Sequence, residues 1–71
     1  MTPLPALTRL PSGDLAANID GVFITIKPSH SDRRRLRYWQ ARSLRGSALS
    51  PFVSTPTIAL AIAAAAIRRA G

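Results

Sequence analysis

The chain has 71 residues, with ten lysines and arginines against three aspartates, no glutamate and no cysteine, for a formal charge of +7. That length allows one domain at most and excludes a large enzyme with its own deep pocket, and the absence of cysteine excludes a disulfide scaffold and a cysteine-ligated zinc site. Domains of this size bury only roughly 60% of their unfolded surface, so the sequence calls for tight packing, oligomerisation or a partner.

Hydrophobic residues make up 46% of the chain, which disfavours disorder throughout. Charge is segregated. Residues 1–32 carry Arg9, Lys27 and all three aspartates; residues 33–71 carry eight arginines and no acid. Three segments follow from this: an arm over 1–18, a strand plus a basic helix over 19–49, and an apolar helix over 50–71.

The arm contains Pro3, Pro5 and Pro11. Proline fixes its own φ and biases the preceding residue towards extended backbone, so an extended arm is expected, with a turn at residues 11–14. Leu4, Leu7 and Leu10 would anchor it on a neighbouring subunit. The segment lacks the basic start and long apolar run of a signal peptide.

Asp20-Gly21 signals a turn, and the β-branched and aromatic residues 22–27 form a strand that Pro28 should end. Val22, Ile24 and Ile26 share one face, and Phe23, Thr25 and Lys27 the other. The only candidate second strand in this reading is the weak one at 50–54. Val22, Ile24 and Ile26 are therefore candidates for pairing with another chain.

Ser31 or Asp32 would cap a helix over 33–44. On a helical wheel Leu36, Trp39 and Leu44 lie within an arc of about 140°. Arg34, Arg35, Arg37, Arg42 and Arg45 fall on the other side, with Tyr38 among them. Arginines so close repel one another, and three in a first turn oppose the helix dipole. An anionic surface would relieve both effects. Arg33, Arg34, Arg35, Arg37, Tyr38, Arg42 and Arg45 are thus the candidate partner-binding residues, for nucleic acid, anionic lipid or acidic protein.

Thr55-Pro56 supplies an N-cap and a proline at N1, and Arg68 and Arg69 suit the C-terminal end of a helix dipole. The intervening residues are apolar all round, which implies burial on every side or in lipid. Ala59, Ala63 and Ala66 form a small-residue stripe for helix packing. The uncharged residues 48–67 match a bilayer in length, but two prolines and four hydroxyl residues make insertion marginal.

No acid/base pair, nucleophile elbow, phosphate loop or metal spacing is present, so the expectation is a non-enzyme without cofactor or metal. His30 reads as part of a capping loop. The expected fold is mostly α with one short strand. The leading functional expectation is a structural or assembly subunit that is not a free monomer, bound to protein subunits of a larger complex, by architectural analogy a virion or tail assembly. One alternative is a single-pass membrane accessory subunit, with 48–67 as the span. Another is a small nucleic-acid-binding regulator using Arg34, Tyr38, Arg42 and Arg45.

Overall fold

A computed structural model describes residues 4–30 and 37–70. The chain forms a four-stranded antiparallel meander, β1 (Thr8–Arg9), β2 (Leu15–Ile19), β3 (Val22–His30) and β4 (Arg37–Ser43), followed by one helix, α1 (Pro56–Ala70). The expectation of a mostly helical chain with a single strand is therefore corrected. Strand is the larger part of the fold.

The basic helix expected over 33–44 is replaced, over its described part, by β4. A helix would point Trp39 and Ala41 about 200° apart. A strand sets them on one face, and in the fold Ala41 is fully buried with Trp39 packed beside it. Extended backbone also relieves the arginine crowding that disfavours a helix here. Arg33, Arg34, Arg35 and Leu36, like the proposed caps Ser31 and Asp32, lie outside the described residues.

The second strand is β2, nearly all of it in the stretch expected to be an extended arm on a neighbouring subunit. Its pairing with β3 is set by the Asp20-Gly21 turn: Ile19 faces Val22, Ala17 faces Ile24 and Leu15 faces Ile26. Asp20 and Gly21 both have positive φ, 52° and 88°, as a two-residue type I′ hairpin demands. Asn18 Oδ1 accepts a hydrogen bond from the Gly21 amide at 2.8 Å. Val22, Ile24 and Ile26 accordingly find partners within their own chain.

Two further turns share one device. The Leu10 amide donates to the Asp14 carbonyl at 2.8 Å while the Gly13 amide donates to the Leu10 carbonyl at 3.0 Å. Ser43, Gly46 and Ser47 repeat this pattern at 2.9 Å for both bonds. Each is a three-residue loop whose last member, Gly13 or Gly46, takes the left-handed conformation (φ 92° and 90°).

Pro28 does not end β3, which runs on to His30. Trp39, opposite Pro28, spends its own amide and carbonyl on Val53, at 2.7 and 2.9 Å. Pro28 therefore occupies a non-hydrogen-bonded position relative to β4, and its missing N–H faces the side where β2 has already ended at Leu15.

The outer edge of β4 is closed by the returning residues 47–53. The Leu49 amide donates to the Ala41 carbonyl at 2.8 Å, and the Ala41 amide donates to Ser50 Oγ at 3.0 Å. Ser50 is buried and its hydroxyl donates a hydrogen bond to the Pro51 carbonyl at 2.9 Å. Pro51 and Phe52 bulge out of register, so the segment shields an exposed edge without becoming a regular strand.

The helix forms where its capping signals place it. Thr55 Oγ1 accepts from the Ile58 amide at 3.3 Å, and Arg68 Nε reaches Asp20 Oδ2 at 3.0 Å, tying the far end to the β2–β3 turn. The helix is not surrounded on all sides. Ala59, Leu60, Ala63 and Ala64 meet Ala17, Ile19, Ile24, Ile26 and Ala41 of the sheet, while Thr57, Ile58, Ala61 and Ala65 face outward. Alanine tolerates either environment, which is why composition alone misjudged the burial. Alanines on both sides let the helix lie close to the sheet.

Candidate polyanion interface

Alternation along the strands gives the sheet two unlike faces. Leu15, Ala17, Ile19, Ile24, Ile26, Trp39 and Ala41 lie on the face covered by α1. The opposite face is open. It carries Asn18 beside Phe23, Thr25 beside Arg42, Lys27 beside Gln40 and Ser29 beside Tyr38.

Phe23 is 56% exposed and Tyr38 37%, so both rings are available from solvent. The two cations lie between them. Gln40 is buried, and its Oε1 accepts from Arg42 Nε at 2.9 Å, which orients the guanidinium across the face. Lys27 Nζ lies 3.7 Å from Asp14 Oδ2, a partly exposed pair at the long end of ion-pair distance that holds the ammonium only loosely. A shallow depression of about 290 Å³ runs between Thr25, Lys27, Arg42 and Leu44, with the Asp14 carboxylate on its wall beside Lys27. Arg45 is exposed in the turn that follows β4.

The residues singled out from the sequence are thus divided. Tyr38 and Arg42 share the open face, about 13 Å apart along the strand. Arg37 is on the helix-covered face, its guanidinium carbon 5.8 Å from the centre of the Trp39 ring. Arg33, Arg34 and Arg35 are outside the described residues. Ala59 and Ala63 are fully buried against the sheet, and Ala66 is half-buried. Lys27, Phe23 and Thr25 join the site through the alternation of β3, a pattern visible in the sequence but not connected there with Tyr38 and Arg42.

Among the described residues no group of histidine and acidic side chains could hold a metal ion, and no helix is long and apolar enough to cross a membrane. The arrangement on the open face can attract anions and stack flat rings. Comparison with known protein families, with curated proteins and with solved structures finds no match to this chain.

Proposed function

We propose that this protein is a small non-catalytic binding module that holds single-stranded nucleic acid on its open sheet face. The observation that carries the reading is the grouping of Tyr38, Phe23, Arg42 and Lys27 on the one face that α1 leaves uncovered. Flat rings on a sheet stack on unpaired bases, and cations between them meet the phosphates.

The test is fluorescence anisotropy with a labelled single-stranded oligonucleotide at several salt concentrations. With two or three phosphates met, the slope of log K against log salt should be about −1.4 to −2. Tyr38→Ala should weaken binding by about 1–3 kcal/mol, and Arg42→Gln should flatten the slope by about 0.7. Absence of binding at low salt, or a Tyr38→Ala variant that binds like the parent, would refute the reading.

A second reading, an anchoring subunit of a larger protein assembly, is supported by two large apolar side chains left exposed, Phe52 at 53% and Ile58 at 46%. Such groups favour protein contacts. Sedimentation across a wide concentration range should then show self-association that Ile58→Asp and Phe52→Ser together reduce. A parent chain that stays monomeric throughout would count against association between copies.

A further inference from the structure

On the helix-covered side, where α1 begins, a cleft of about 250 Å³ opens beside the end of the sheet. Arg9 and Arg37 contribute to its walls, with Leu15, Trp39 and Pro56 as apolar lining. Arg9 comes from β1, where it faces Leu15, and Arg37 from the first position of β4. The two arginines are distant in sequence, and only the folded sheet brings them to one cavity.

The geometry points to a binding site for a phosphate group, free or carried as a monoester on a small organic group. Two arginines lining one cleft repel each other, and among the described residues neither has an acidic partner. A dianion answers both charges at once, where a carboxylate would answer one. Guanidinium forks match phosphate oxygens in pairs. The indole of Trp39 lies 5.8 Å from the Arg37 guanidinium carbon and restrains it by cation–π attraction, so less freedom is lost on binding. Leu15, Trp39 and Pro56 would take an attached apolar or ring group. This site is on the opposite side of the sheet from Tyr38 and Arg42, and it stands or falls independently of nucleic-acid binding there.

Trp39 is the one tryptophan in the chain, so its fluorescence reports on the cleft directly. The full chain would be titrated with inorganic phosphate and, separately, with a nucleoside 5′-monophosphate, at constant ionic strength. A saturable change in Trp39 emission is expected. Tighter binding of the monophosphate would identify a phosphorylated organic ligand, and equal binding would identify free phosphate. Arg9→Gln and Arg37→Gln should each weaken the response by about ten- to a hundredfold. Arg69→Gln removes the same charge at the far end of α1 and should leave it unchanged, with circular dichroism checking that each variant is folded. No saturable response to either compound, or equal losses in Arg9→Gln and Arg69→Gln, would overturn the site.

Discussion

Replacing Ile24 by alanine is expected to remove about 2–5 kcal/mol of folding stability, the usual cost of a large-to-small change in a core. Ile24 is fully buried on the central strand β3, between Ala17 of β2 and Ser43 of β4, on the face that α1 covers. Its cross-strand partners are small and the helix presents mainly alanines, so the gap closes only if Ile19, Ile26 or Leu60 leaves its own packed position. A 71-residue chain has roughly 4–10 kcal/mol of stability in total, so this one change takes about half. Thermal unfolding should shift down by about 10–30 °C. Val22→Ala is the matched control, on the same face of the same strand but 42% exposed, and it should cost much less. Equal shifts for the two would mean that α1 does not cover Ile24 as described.

Legibility of the fold followed the range of the interactions involved. The C-terminal helix was readable because its determinants are local: a threonine cap, a proline at N1, an alanine-rich body and terminal arginines. The hairpin turn at Asp20-Gly21 was readable for the same reason. Strand β2 was not, because its residues Leu-Ala-Ala-Asn-Ile have weak β preference. What makes them a strand is their pairing with β3 and the burial of Ala17 and Ile19, and neither shows in a short window. Pro28 misled by a sound rule. It is tolerated because its missing donor falls on an unpaired stretch of edge.

Two of the candidate residues, Tyr38 and Arg42, stay together although the segment is a strand and not a helix. Residues four apart share a face in a helix and also in a strand. Tyr38 and Arg42 therefore stay together under either geometry. Residues one apart separate in a strand, so Arg37 is parted from Tyr38 and joins Arg9 and Trp39 on the other side. Spacing alone marked the pair; only the sheet could supply Phe23 and Lys27 as its neighbours.

Ala63→Leu is the second large effect expected, and it bears on what the alanine stripe does. Ala63 is fully buried where α1 lies on the sheet. A leucine there must lift the helix or displace Ala41, Ile24 or their neighbours, and overpacking of this kind costs about 1–3 kcal/mol. Ala65→Leu places the same side chain on the outward surface of α1, where helix preference is nearly unchanged and nothing is crowded. Thermal unfolding should therefore drop sharply for Ala63→Leu and stay near the parent for Ala65→Leu, at any protein concentration. If the stripe were instead a contact between copies of the chain, Ala63→Leu would alter the sedimentation profile and leave the unfolding of the monomer intact. The burial of Ala59, Ala63 and Ala64 under one sheet predicts the first result. It assigns the small side chains to the closeness of helix and sheet within one molecule, and leaves contacts with other molecules to the outward face that carries Ile58.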